Sequence, residues 1–379
     1  MEWLAGLDDA AAAREAAGLR RELRPRGAAE ADPVIDLAGN DYLGLSRHPA
    51  VLAAAVEALH DFGLGATGSR LVRGSTEAHQ ALEDGLAELL GTESALVYSS
   101  GYLANLGAIR ALARPGALIV SDAHNHASIV DGCRLARAGR DGVETVVAPH
   151  ADPAAVRAIL AAHPGRPALV VTESVFSVDG DLAPLPELYD VARAHGALLL
   201  VDDAHALGVL GSRGAGGVAA AGLAGAPGLA VTATLSKSLG AAGGVIAGPA
   251  QLRRQLVDTG RTFIFDTALP PAVAAGALAA LALLADGDDL RAELRARASR
   301  AAERLEVPVP AGGVVPVVAP GPEQALAWSL ACREQGVAVG CFRPPSTPDG
   351  RSRLRLTVNV GIAPEAFDEA LDIILKERP

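Results

Sequence analysis

At 379 residues, 50% of them hydrophobic and 20% charged, the chain carries enough apolar side chain to fill two domains, or one large α/β domain with an appendage. A formal charge of −11 excludes a general attraction to nucleic acid or to an anionic membrane, while leaving room for a local basic pocket around a phosphorylated ligand. Three cysteines, Cys133, Cys332 and Cys341, have neither metal-site spacing nor an even count, so buried, reduced thiols in a cytoplasmic setting are expected.

In chain order, Met1–Asp9 lacks the basic and apolar regions of a secretion signal. Residues 7–24 have helical composition, with Leu19 and Leu23 one turn apart and Pro25 blocking continuation. Val34–Ala38 reads as a strand entering the turn-rich Gly39-Asn40-Asp41-Tyr42-Leu43-Gly44, where Asn40 on its own is a turn cap. A helix from about Pro49 to Asp61 precedes Gly63-Leu-Gly-Ala-Thr-Gly68. That run satisfies Gly-x-Gly-x-x-Gly, but it follows a helix where a dinucleotide fingerprint must follow a strand.

Ser94–Tyr98 is strand-like, and Ser99-Ser100-Gly101-Tyr102 opens a helix that runs to Leu112. Such a turn is an ordinary serine cap or, with its free N–H groups and positive dipole end, a phosphate seat. Asn105, one turn on, faces the same place. After the strand Ala117–Ser121 come His124 and His126, two apart, without a carboxylate or cysteine at helpful spacing for a metal. The strand Ala168–Thr172 ends in Glu173, Ser177, Asp179 and Asp181, a run too short and wrongly spaced for an EF-hand loop.

A helix over 185–195 leads into Ala197–Asp202, an apolar run long enough for a buried parallel strand, closed by Asp202-Asp203-Ala204-His205. Val231-Thr-Ala-Thr234-Leu-Ser-Lys237 is a second such strand, which meets a lone lysine and then glycines. Alone, that lysine is a solvated turn residue. Placed with Asp202 at the carboxyl edge of one sheet, it becomes the amine that pyridoxal phosphate needs for its aldehyde, and Asp202 the acid for the ring nitrogen. Gly244–Gly248 reads as a closing strand. Residues 268–285 form a buried helix too short and too broken to span a membrane, and 286–305 a charged amphipathic one. The arginines between Arg343 and Arg355 are, unaided, surface charge.

Asp202-Asp203-Ala204-His205 with Thr234-Leu-Ser-Lys237 resembles the α-oxoamine synthases, fold type I pyridoxal-phosphate enzymes that condense an amino acid with an acyl thioester. The resemblance runs in order through nearly the whole chain. It implies an α/β fold with a doubly wound, mostly parallel sheet: an amino-terminal helix and arm over 1–45, a large cofactor domain over 46–285 and a smaller α/β domain over 286–379. It further implies a homodimer with the active site at the subunit interface; the histidine and cysteine spacings leave no metal expected.

For the cofactor, the resemblance gives the aldehyde to Lys237 and the ring nitrogen to Asp202. Gly101, Tyr102 and Thr234 hold the phosphate or the ring face, and Ser177, assisted by His205, takes the ring hydroxyl. His126 lies flat on the ring, with His124 its nearest competitor. Thr267 reaches the phosphate of the neighbouring subunit, although Asp266 stands where the family has a serine, so that carboxylate must point away or be paired. For the substrate it gives Arg20, or its neighbour Arg21, together with Asn40, His126, Ser346 and Arg355. The expected substrates are L-alanine and a pimeloyl thioester, on CoA or a carrier protein, with Lys237 taking the α-proton. Glycine-using sister enzymes, a catalytically silent partner subunit and an NAD-dependent dehydrogenase are the alternatives.

Overall fold

The computed structural model describes residues 2–28 and 33–379. Its strands are, in chain order, β1 (Ile35–Leu37), β2 (Ser94–Tyr98), β3 (Leu118–Asp122), β4 (Glu144–Ala148), β5 (Ala168–Glu173), β6 (Leu198–Asp202), β7 (Leu229–Thr234), β8 (Gly244–Gly248), β9 (Val314–Val318), β10 (Val337–Phe342) and β11 (Arg353–Thr357). Seven form one sheet in the order β2-β8-β7-β6-β5-β3-β4, and the rest form a smaller sheet in the order β1-β10-β11-β9.

The large sheet is parallel from β4 through β7, and only β8 runs against its neighbours. Strands buried on both faces must be apolar throughout, and Leu-Leu-Leu-Val in β6 and Ala-Leu-Val-Val in β5 are. On one face Ile109, Ile129, Cys133 and Leu256, from three helices, pack on Ile119, Leu169 and Leu200. On the other, Val156, Leu160, Leu188 and Val191 pack on Leu118, Val170 and Leu199. Truncating one of these to alanine is expected to cost about 2–5 kcal/mol. From β3 the chain steps outward to β4, then returns past β3 to β5 and proceeds the other way through β6 and β7. The carboxyl ends of β3 and β5 therefore flank a point where strand order reverses, which opens a crevice there.

The smaller sheet is not a separate body. One continuous core joins Leu37, Tyr42, Leu207, Leu239, Leu294, Val315 and Trp328, so the sheet that carries β11 is packed directly against the crevice. Strand β1 pairs in parallel with β10, tying the amino-terminal arm into this sheet.

Three elements differ from the sequence reading. The first helix is Glu2–Ala16 and stops short of residue 24, because Gly18 adopts a left-handed φ of 64° that ends a helix at little cost. Strand β8 does not close the sheet but lies between β7 and β2, with Gly244 so near the chain that a Cβ there would stand 2.5 Å from Ser100 O. Edge strand β4 escapes a sequence reading because its side chains are largely outside the core; Val147 is 62% exposed.

Candidate active site

Asp202, the last residue of β6, is buried with both carboxylate oxygens already oriented. Oδ1 accepts from the Ala204 N–H at 3.0 Å and Oδ2 from Asn105 Nδ2 at 2.6 Å. Asn105, projecting from helix Gly101–Leu112, also donates to Ser128 Oγ at 2.8 Å and accepts from Thr232 Oγ1 at 2.6 Å. A fully engaged amide holds the acid in one rotamer. His126 caps the helix Ala127–Gly139 through Nδ1, which accepts from the Ser128 N–H at 3.3 Å and lies 2.8 Å from Ser128 Oγ, and the residue is exposed. Partial desolvation lowers its pKa, against the opposing pull of Asp202.

Lys237 lies three residues past β7, half-buried. Desolvation pushes its ammonium down from 10.5 to about 8, although Asp202 and Glu173 favour the charged form. At that value a fraction of the amine is free at neutral pH, in the range in which a lysine can serve as a base. Glu173 was read from sequence only as part of an acidic run. Strand register sets it directly beside Asp202, 2% exposed, and burial followed by Asp202 raises its pKa well above the ordinary value. Its Oε2 accepts from the Ser177 N–H at 3.1 Å, while Oε1 has no hydrogen-bond partner among the described residues.

His205 is buried, with Nδ1 2.6 Å from the Tyr42 hydroxyl. Burial, then the charges of Lys237 and Arg355, press its pKa well below the ordinary value. Arg355 on β11 reaches the same place from the smaller sheet, donating from Nη1 to Ser177 O at 2.8 Å and from Nη2 to Asn40 Oδ1 at 3.2 Å. It sits over the Phe342 ring at 4.4 Å, and its buried Nε has no partner among the described residues.

Ser100 caps the helix Gly101–Leu112 by accepting from the Leu103 N–H at 3.2 Å. The N–H groups of Gly101 and Tyr102 precede the helix's own hydrogen bonding and remain available to an anion. A Cβ on Gly101 would come within 3.0 Å of Thr234 Cβ, so only glycine lets the two approach. Thr234 Oγ1 lies 2.7 Å from Ser236 Oγ, which sequence reading passed over. The Tyr102 phenol points outward to Asp131 Oδ2 at 2.5 Å, leaving only its backbone at this seat.

Other expected residues lie further out. Thr267 is exposed, in a segment held by His79 Nε2 on Leu269 O at 2.7 Å, and Asp266 accepts a hydrogen bond from Ser99 Oγ. The odd carboxylate is thus paired. Arg20 forms an exposed ion pair with Glu15 at 3.0 Å, whereas Arg21 donates to Ser346 Oγ at 2.9 Å. Arg343 straps the arm by donating to Gly18 O and Arg20 O. A cavity of about 730 Å³ opens here between Arg21, Phe342, Arg343 and Ser346. His124 Nδ1 lies 2.9 Å from Asp179 Oδ2.

These residues fit pyridoxal phosphate. A helix amino terminus that only glycine can line suits the phosphate, and a buried, pre-oriented carboxylate suits the ring nitrogen. A lysine lowered to about 8 suits the aldehyde, and an open imidazole face suits the ring.

Residues 32–374 match the family model described as aminotransferase class I and II. The 8-amino-7-oxononanoate synthase of Mycolicibacterium smegmatis is 54% identical over 378 residues, covering 99% of this chain and 96% of the relative. Among solved structures, Sphingomonas wittichii serine palmitoyltransferase superposes with a TM-score of 0.90 at 34% identity, over 99% of this chain and 97% of that one. The S. paucimobilis serine palmitoyltransferase with PLP and myriocin bound gives 0.90 at 31%, over 98% and 96%. The chain belongs to the class I and II aminotransferase family of fold type I pyridoxal-phosphate enzymes and, within it, to the 8-amino-7-oxononanoate synthases.

Proposed function

We propose that this protein condenses L-alanine with a pimeloyl thioester, on CoA or a carrier protein, to give 8-amino-7-oxononanoate, carbon dioxide and the free thiol in biotin biosynthesis. The observation that carries the reading is the meeting of a lysine lowered to about 8 with a pre-oriented Asp202, an open His126 and the Arg355–Asn40 pair in one crevice.

Pyridoxal phosphate, when bound, supplies an aldehyde for the amine and a ring that draws electrons from Cα. Gly101, Tyr102, Thr234 and Ser236 would hold its phosphate, Asp202 its ring nitrogen, Ser177 and His205 its hydroxyl, and His126 one ring face. Arg355, beside Asn40, takes the alanine carboxylate, for which a two-pronged guanidinium is suited. Lys237 as free amine removes the α-proton. Cα then bonds to the thioester carbonyl carbon, the thiolate leaves with its electron pair, the alanine carboxylate departs as carbon dioxide, and Lys237 returns a proton to Cα. The cavity between Arg21, Phe342 and Ser346 takes the acyl chain, with Arg21 facing its distal carboxylate.

We further infer a homodimer. Leu52, Val56, Phe62, Leu64, Leu71 and Val72 form an exposed apolar stretch that water disfavours, and exposed Thr267 is then free to meet the partner's phosphate. Among the described residues no helix is long and apolar enough to cross a membrane. In this scheme residues 46–285 seat the cofactor and 286–379 supply the carboxylate clamp. The test is thiol release and product mass with L-alanine, glycine or L-serine against pimeloyl-CoA and pimeloyl carrier protein. Release with L-alanine supports the reading. Release only with glycine or L-serine moves the assignment to a sister enzyme.

A further inference from the structure

Beside the crevice, in the loops that follow β3, β4 and β5, stands a chain of charged groups that the chemistry above does not use. His150 has Nδ1 2.9 Å from Asp122 Oδ1 and Nε2 2.9 Å from Asp181 Oδ2. A neutral imidazole has a single N–H, so a ring with a carboxylate at each nitrogen donates from both only as the imidazolium. The ring is stacked on His124, with centroids 3.8 Å apart and planes 9° from parallel, and meets Phe176 edge-on at 4.4 Å. His124 Nδ1 lies 2.9 Å from Asp179 Oδ2, and the other oxygen of Asp179 accepts from Arg353. Asp122 also accepts from the N–H groups of His124 and Ala151, each at 2.7 Å.

The chain has two ends that matter. One is the turn 122–126, which finishes on His126. The other is β11, where Arg353 stands two residues before Arg355 and both arginines grip the loop 177–179. We propose that His150 is a positioning residue: the bridge from Asp122 through His150, His124 and Asp179 to Arg353 fixes His126 relative to Arg355, and so how the amino acid is presented to Lys237. This rests on the reading of the crevice as an amino-acid site.

The experiment compares His150→Leu, which removes both donors, with His150→Gln, which keeps an N–H donor, in the full-length protein. Steady-state kinetics are measured on the loaded enzyme and amide hydrogen exchange on the apoprotein. Removing the bridge is expected to raise KM for L-alanine about tenfold, with little change in kcat or in KM for the thioester, because a small misplacement of the bound group weakens its presentation. Exchange over residues 122–126 quickens in the same variant, and His150→Gln restores part of both effects. Should His150→Leu fail to fold, Asp179→Ala removes the carboxylate that joins His124 to Arg353, opens the same bridge and is expected to show the same KM split. Wild-type KM and exchange in a folded variant overturn the proposal, as does a loss of kcat in step with cofactor content while exchange stays unchanged. If the wild-type protein is inert to L-alanine, the reading of the site fails, and the exchange contrast still decides the bridge.

Discussion

The Tyr42 hydroxyl lies 2.6 Å from His205 Nδ1 across 163 residues of sequence, with both side chains buried. Burial raises the phenol's pKa, so it keeps its proton and donates it. Nδ1 is then the acceptor, and the proton of the neutral imidazole resides on Nε2.

Tyr42→Phe removes that donor and leaves Nδ1 buried without one. Urea unfolding is expected to show a loss of about 1–3 kcal/mol. With the tautomer no longer fixed, kcat should fall about tenfold, and the ring-nitrogen NMR signals of His205 should report a mixture of tautomers. Unchanged stability with a single tautomer would contradict the assignment.

Lys237 gives a stability signature in the apoprotein. Its folded pKa is lowered to about 8 from 10.5, so between these values the unfolded chain binds more protons and folding is favoured as the pH rises. Wild type should therefore gain stability on Lys237→Met between about pH 8 and 10. A gap in denaturant midpoint that stays flat over that interval would show that the amine is not desolvated.

Glu173 has the opposite sign. Its folded pKa is raised above 4.5, so its contribution is fully present below that value and is lost as the pH climbs towards the folded pKa. Glu173→Gln keeps the shape without a titrating proton. Its stability relative to wild type should improve as the pH rises above 4.5 towards the folded pKa, and a pH-independent difference would place an ionised carboxylate there.

Asn105→Ala strips Asp202, Ser128 and Thr232 of a shared partner. A loss of about 1–3 kcal/mol for each group left unsatisfied is the upper scale, reduced wherever water enters the gap. The more specific outcome is a changed visible spectrum of the loaded protein, since Asp202 no longer has a fixed rotamer. A normal spectrum would mean that Asn105 serves packing alone.

The parallel strands were legible because β5 and β6 are buried on both faces and write that burial as unbroken apolar runs. Asp202 and Lys237 stood out as polar residues where such runs end. Glu173 did not, because its meaning comes from the register that sets it beside Asp202, which a single sequence does not display. The Tyr42–His205 pair joins residues far apart in the chain, and only the packing of the smaller sheet brings them together. The choice between Arg20 and Arg21 turned on where the first helix stops. Gly18 ends it early, and the geometry then favours Arg21 at Ser346. Between His124 and His126 the sequence offered no physical criterion; in the structure His124 Nδ1 lies 2.9 Å from Asp179 Oδ2, whereas His126 caps the helix that follows it.

The most direct test is the visible spectrum of the purified protein reconstituted with pyridoxal phosphate, before and after borohydride, and on titration with L-alanine against glycine. A yellow species that borohydride fixes to Lys237, that is missing in Lys237→Ala and that responds to L-alanine at the lower concentration is the predicted result. A protein that takes up no pyridoxal phosphate, or whose colour survives in Lys237→Ala, would contradict the account.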